Sequence, residues 1–536
     1  MKHGLTYLFA TSAVFLSACG GGDSGGGDSG GGEQPVAKVS LQLASEQVSL
    51  QLSQGDALPL TVSGTWSGSN LGASQVFVKL YDQNNQYISP VVSAALSGNS
   101  FSLDTQLNID LQVGQYTPTL TLVACKDASC TSLYPDSQEA LTLQLDVAKV
   151  PEWQTHQANA AHNGYVPVLL NTNNFAKLWE WQRAPSSEPI GGINAPVGGN
   201  GEVYLSTDVY FGDAAVIALD ELTGKENWRL SFGNVPALNP PAINDDTLFI
   251  ATSGHQDTKV WAIDRALGKL KFQTNFSSQW GHYLAPTVYD DKVYQTGGYY
   301  GGFTYAFDIN DGVQAWSQSP GTSWGMDTPA VDANHVYVHS GNELTVFDKN
   351  TGDKLSTIQD LFGNSNYDYH GSPVIGTEGR VMAYSGGAFS GRASSNAEHF
   401  EDRVISSFDV VKKEYRWASR FTYKTFFATH NGVVYAGKNN PASLDAIDED
   451  TGEVLWSWVA PTTQDTSFHR NVVVTKNLLF VSTNAHVYAI DLQTREQVWS
   501  YDEPGTLAIT DNRILLLATG AQESDGRLIA FDLRAN

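Results

Sequence analysis

The sequence predicts an all-β protein in which a small β-sandwich precedes an eight-bladed β-propeller. Three observations predict it. A short phrase recurs eight times after residue 200, at steps near 40–45 residues. Residues 36–150 alternate apolar and polar side chains with a period of two and show no helical runs. The chain is 536 residues long and 41% hydrophobic, too long for one small module and apolar enough to bury large cores.

The elements follow in order. Lys2 and His3 precede an apolar run from Leu5 to Leu16. That run is too short for a hydrocarbon layer of ~30 Å and has the form of a signal-peptide core. Leu16-Ser17-Ala18-Cys19 resembles the lipobox of bacterial lipoproteins. The resemblance implies cleavage after residue 18 and a lipidated Cys19 as the first mature residue. Gly20, rather than Asp, follows the cysteine, which by the same resemblance implies an outer-membrane address facing the periplasm. An ordinary signal peptide with a chance cysteine is the competing reading. Residues 20–33 are Gly, Ser and Asp with one Glu, so 19–35 form a lipidated cysteine and flexible tether. Such a tether reaches about 20 Å on average.

Residues 36–150 form the sandwich, with about seven short strands. Val39–Leu43, Val48–Leu52, Thr119–Val123 and Leu141–Leu145 alternate strictly, and Gly, Asn, Asp and Ser clusters separate them. The stretch resembles the immunoglobulin-like modules of bacterial surface proteins, most clearly where Gly114-Gln115-Tyr116 leads into Thr119–Val123. Cys125 and Cys130 bracket the polar turn Lys126–Ser129, and in an exported chain the expected outcome is a disulfide. A redox pair is the alternative, but the spacing is not CxxC and no βαβ pattern surrounds it.

Residues 151–536 carry the repeat. Two apolar or small residues precede an Asp, a turn follows, and an aromatic stands eight positions after the Asp. The aspartates are Asp220, Asp264, Asp308, Asp348, Asp409, Asp448, Asp491 and Asp532, with steps of 44, 44, 40, 61, 39, 43 and 41. The aromatic slots are Trp228, Phe272, Trp316, Trp417, Trp456 and Trp499, with Ser356 in the fourth. A period of this length with four short strands per unit is that of a β-propeller. The Asp is placed to accept hydrogen bonds from the following turn, as at Thr223-Gly224, Thr351-Gly352 and Thr451-Gly452. The glycine supplies a positive φ, and the aromatic starts the outermost strand, where it can pack on the neighbouring blade. The eighth copy lacks its aromatic strand. Lys177-Leu178-Trp179-Glu180-Trp181 matches Val454–Trp458, so an N-terminal strand is expected to complete the last blade and close the ring.

The phrase Ala-[Ile/Leu/Phe]-Asp-x-x-Thr-Gly-[Lys/Glu]-x-x-Trp is similar to the tryptophan-docking repeat of quinoprotein-like propellers, over about 152–536. That superfamily includes pyrroloquinoline-quinone (PQQ) alcohol dehydrogenases and non-enzymatic lipoproteins of the BamB type. As departures from the dehydrogenases, no Cys follows Cys130, no CxxCH or haem domain is present, and no motif matches the calcium ligand set. The BamB type, in turn, lacks a preceding immunoglobulin-like domain. The resemblance therefore implies a non-catalytic envelope scaffold for a protein partner, with outer-membrane protein assembly as its specific form, and no cofactor. A periplasmic PQQ-dependent dehydrogenase with Ca²⁺ is the alternative.

Charge excludes one class of partner. Lys+Arg of 31 against Asp+Glu of 56 gives a net charge of −25, which repels DNA and RNA. Three cysteines are too few for a four-cysteine zinc site. Pro196, Pro241, Pro286, Pro329 and Pro373, spaced 45, 45, 43 and 44, mark where each innermost strand begins. Trp280, His282, Trp324, Asp327, His370, His469 and Arg470 fall just before these starts or their equivalents, and so ring one mouth of the axial channel. Aromatics, imidazoles and an arginine could hold a small anionic or aromatic ligand. The plain alternative is a solvated funnel, and no metal site is expected. An insertion from Gly386 to Asp402 falls on the same face. Gly321–Gly325 matches GxSxG but leads into a strand rather than a helix, so it is not a nucleophile elbow. Glycan binding through exposed Trp is compatible but has no motif behind it.

Overall fold

The structure is a computed structural model. It describes residues 36–83, 85–89, 93–184, 192–208, 211–253, 258–278, 285–297, 303–319, 328–363, 372–377, 379–386, 402–439, 441–519 and 526–534. Cys19 and the tether lie outside this set. Among the described residues every long element is a strand, and the sole helical segment is a 3₁₀ turn at Thr172–Asn174.

Two five-stranded sheets form the small domain. One runs Lys38–Leu43, Pro59–Ser69, Ser100–Leu107, Ile88–Ser89, with Ala95–Ser97 paired to Ser100–Leu107. The other runs Gln47–Ser53, Glu139–Ala148, Thr119–Cys125, Phe77–Tyr81, with Gly114–Tyr116 paired to Glu139–Ala148. Strict alternation buries every second side chain, as in Ser100–Leu107. Leu41, Leu80, Leu103, Leu122 and Leu143 from the two sheets meet in one core. Among its described residues the domain has ten strands where about seven were expected. The first apolar stretch switches sheets, so that Gln47–Ser53 pairs in parallel with Glu139–Ala148, and three short strands add to the edges. Cys125 and Cys130 stand 5.0 Å apart between Cα atoms, inside the disulfide range.

Among the described residues, eight antiparallel sheets of four or five strands follow; seven run through consecutive strands, and the last joins Thr506–Ile509, Ile514–Thr519 and Arg527–Asp532 to a strand from the start of the ring. Their innermost strands are Val197–Gly199, Ala242–Ile243, Thr287–Tyr289, Ala330–Val331, Val374–Ile375, Ala428–His430, Phe468–Val474 and Thr506–Ile509. The first five begin one residue after the prolines picked out in the sequence. Neighbouring sheets adjoin along these strands from the first to the fifth, and from the sixth through the eighth back to the first. Ala176–Gln182 pairs antiparallel with Arg527–Asp532, so the N-terminal strand does complete the last sheet and close the ring. The insertion joins two strands of the fifth sheet, Arg380–Tyr384 and Ile405–Asp409. Most of it, 387–401, lies outside the described residues, as does Gly321–Gly325.

The repeated phrase builds the joints between sheets. Trp228 pairs with Ala218, Trp316 with Ala306, Trp417 with Ser407 and Trp456 with Ala446, always one step before the same register shift. The shift turns the indole sideways onto the next sheet's turn. There Trp179, Trp228, Trp316 and Trp417 donate Nε1–H to the carbonyls of Glu221, Arg265, Lys349 and Glu449, at 2.7–3.0 Å. The ring lies flat on the turn glycine: a Cβ on Gly352 would come 2.6 Å from Trp316 Cδ2. Gly352 has φ +75°, and its N–H caps the Asp348 carbonyl while the Asp348 side chain accepts from Asn350 and Thr351. Lys413 and Arg495 take the glycine's place in the fifth and seventh sheets and adopt φ +58° and +62° all the same.

Two substitutions at one joint test this account. Trp316→Ala is expected to destabilise the protein by about 3–5 kcal/mol, the usual loss for a buried indole. Gly352→Val adds a branched side chain both to a positive φ and against Trp316, and should destabilise comparably. Chemical unfolding measures both, and loss well below 1 kcal/mol in either would show that the joint is not a packing unit.

Candidate functional site

The ring axis is occupied by the chain itself. Residues 151–171 leave the small domain and run past the innermost strands in order. Trp153 exchanges both backbone bonds with Gly198 of the first sheet, at 3.0 and 3.1 Å. The Gln154 carbonyl accepts from Ile243 N–H of the second, and Thr155 Oγ1 donates to the Pro286 carbonyl just before the third. The carbonyls of Ala160, Ala161 and Asn163 accept from Val331, Ile375 and Thr429 in the fourth, fifth and sixth. Gly164 and Val166 bracket Val474 of the seventh. Innermost strands have no further strand toward the axis, so their inward N–H and C=O groups need partners. This strap supplies them.

Side chains complete the plug. Gln157 Nε2 donates to the carbonyls of Phe427 and Val472, and its Oε1 accepts from Asn471. Asn471 also exchanges bonds with Leu507, joining the seventh sheet to the eighth. Fully buried His162 places Nδ1 3.0 Å from the Pro373 carbonyl and Nε2 3.1 Å from Thr287 Oγ1. His156 packs edge-to-face on His162 and on Phe426. Glu152, at the strap's start, grips Arg265 through two bonds of 3.1 and 3.2 Å. Burial pushes the His162 pKa down to about 4 and that of His156 well below its ordinary value.

Above the plug, a cavity of about 20 Å³ is left between Trp153, His156, Gln157, Pro241, Phe426 and Asn471, room for about one water. No carboxylate lines it. Nor do three His, Cys, Asp or Glu side chains converge as a metal site among the described residues. A calcium-bound tricyclic quinone needs several anionic or carbonyl oxygens and far more space. The described axial residues therefore do not fit PQQ.

Of the mouth residues expected from the sequence, Trp280, His282, Trp324, Asp327 and His370 lie outside the described residues. His469 and Arg470 are described, on Phe468–Val474 at a β-bulge. His469 is half-buried, with Nε2 2.6 Å from Ser467 Oγ. Arg470 is buried at φ +65°, and its carbonyl accepts from Phe426 N–H. Asn194, at the first strand start, binds Ser206 Oγ and the Leu238 carbonyl, both at 2.9 Å, and so clasps two sheets. Sequence reasoning missed the strap. Its signal was an unrepeated stretch between Val150 and Lys177, dense in Asn, Gln and His beside Trp153.

Fold and axis together define a PQQ-like repeat β-propeller. The chain belongs to the family described as outer membrane protein assembly factor BamB, whose model matches residues 162–274, 212–457 and 440–535. Tetrathionate hydrolase of Acidithiobacillus ferrooxidans is 22% identical over 418 residues, 67% of this chain and 81% of that protein. Among solved structures, quinohemoprotein alcohol dehydrogenase from Comamonas testosteroni matches with a TM-score of 0.50 at 15% identity, covering 72% of this chain and 81% of that one. BamB from Moraxella catarrhalis matches with 0.46 at 17%, covering 68% and 98%.

The buried imidazoles predict an acid-side loss of stability. An unfolded His takes up a proton near pH 6.5, while folded His162 does so only near 4. Between these values the unfolded state binds more protons, so stability falls as pH falls, by roughly 3 kcal/mol for His162 over the whole window. His156 adds to the slope in the same direction. Urea unfolding from pH 7 to 4 should show this slope, and His162→Gln should flatten it. An unchanged slope in the variant would remove His162 as its source.

Proposed function

We propose that this protein is a cell-envelope lipoprotein whose eight-bladed propeller is a non-catalytic binding platform, with a protein partner docking on the loop face. A role in outer-membrane protein assembly is the specific form of this reading. The observation that carries it is the strap, which fills the axis through backbone bonds to six sheets and a side-chain bond from Thr155 to the Pro286 carbonyl just before a seventh, the third in order. Membership of the BamB family supports it. The reading includes lipidation at Cys19, a Cys125–Cys130 disulfide and an immunoglobulin-like small domain. The sheet-switching first strand and its parallel partner support the last of these.

The test is a titration with PQQ and Ca²⁺, followed by tryptophan fluorescence and calorimetry. No saturable binding is expected. Saturable binding at one site would overturn the platform and favour the dehydrogenase, with Trp280→Ala and His370→Ala expected to abolish it. Because one relative is a tetrathionate hydrolase, tetrathionate consumption is the matching control, and none is expected. Cross-linking in intact envelopes from Asp502, at the loop-face end of the seventh sheet, should capture a protein. Cys19→Ala should move the protein to the soluble fraction; a variant that stays in membranes would exclude this anchor.

A further inference from the structure

The small domain is joined to the ring at two places, both on the face opposite the loop face. The first is covalent. Only four residues separate the end of Glu139–Ala148 from Trp153, which pairs with Gly198; Val150 is buried in the ring's own core, and Lys149 Nζ reaches Asn200 Oδ1 at 3.2 Å. No slack is left in that connection. The second is a buried ionic clamp. Asp56, 1% exposed in its side chain, accepts from Arg513 Nη2 at 2.8 Å and Lys476 Nζ at 2.6 Å. The backbone N–H groups of Ser53 and Leu169 donate to the same carboxylate at 3.0 and 2.8 Å. Lys476 and Arg513 stand on the hairpins that follow the innermost strands of the seventh and eighth sheets. The guanidinium lies against Gly55, where a Cβ would come within 2.1 Å of Nη1. Ser53 Oγ donates to the Pro167 carbonyl of the strap.

The strand register fixes which end of the sandwich carries the tether. Lys38 pairs with Ser69, the last residue of Pro59–Ser69, whereas Pro59 begins that strand just after Asp56. Ser53, beside the clamp, ends Gln47–Ser53, which runs parallel to the strand leading into the ring. The chain therefore enters the sandwich at the end remote from the clamp, about 35 Å away along an eleven-residue strand.

We propose that the small domain is a rigid spacer: it holds the ring with its loop face turned away from the tethered end, so that partners reach that face from the aqueous side rather than from the anchoring membrane. This orientation rests on the lipid-anchor reading above, and the rigidity does not.

Two measurements on the full chain separate these parts. Spin labels at Ser69→Cys and Asp353→Cys, the latter on the turn between the last two strands of the fourth sheet, should give one narrow distance distribution. A broad distribution in the parent protein overturns the rigid spacer. Asp56→Ala should broaden it severalfold, and the milder Lys476→Ala less. If Asp56→Ala leaves the distribution narrow in folded protein, the clamp is not what holds the domains. In vesicles carrying an acceptor lipid dye, a donor at Asp353→Cys should transfer energy at least twice as efficiently as one at Asp502→Cys. Equal or reversed efficiencies overturn the orientation. A chain that does not float with vesicles overturns the anchor, while the spin-label result still decides the rigidity.

Discussion

An indole lying flat on a neighbour's glycine turn, with its N–H on the carbonyl beside that turn, sets the geometry of the whole ring. The contact asks for three things at once: a register shift that turns the tryptophan sideways, a positive φ that bares a flat backbone patch, and an aspartate that holds the turn. Six of the eight sheets offer an indole on one side, with Phe272 and Ser356 in the slot of the other two, and a turn stands on the other side. The joint is therefore heterologous, and it propagates until the chain supplies an end. Ala176–Gln182 supplies it, because Trp179 comes from the start of the chain yet docks as its C-terminal counterparts do.

Closing a ring in this way creates a second problem at the centre. Innermost strands are short and their inward edges carry polar backbone groups, which cannot be buried bare. The strap answers with backbone carbonyls where innermost N–H groups point inward and with Gln157 and His162 beside carbonyls, while Asn471 of the seventh sheet serves the Leu507 carbonyl of the eighth. Rigid sheets presenting variable loops are a common way to build a recognition surface.

The strap and the clamp also couple the two domains. Asp56 reaches the ring directly and touches the strap through Leu169, so the sandwich, plug and last two sheets share one polar network. Breaking a buried pair by removing one partner leaves a charge without compensation, which is costlier than never having built the pair. Such a network resists partial change, and that favours a fixed geometry between the domains.

The sequence by itself determined the all-β class, the repeat, the docking residues, the strand starts after the prolines and the closure by Lys177–Trp181. Each depends on local chemistry repeated at a fixed period: an Asp and a Gly that shape one turn, and an aromatic eight residues on. The period also survives where Ser356, Lys413 and Arg495 replace the usual residues. Only the tertiary structure decided the path of the strap, the filling of the axis, the three short extra strands of the sandwich and the clamp between domains. Their partners are far apart in the chain, 315 residues from Gln157 to Val472 and 457 from Asp56 to Arg513. Most of the strap's bonds are to backbone groups, which every residue carries, so no side-chain pattern could announce them. A single aspartate among many acidic residues looks like surface until folding brings an arginine and a lysine from two hairpins to bury it.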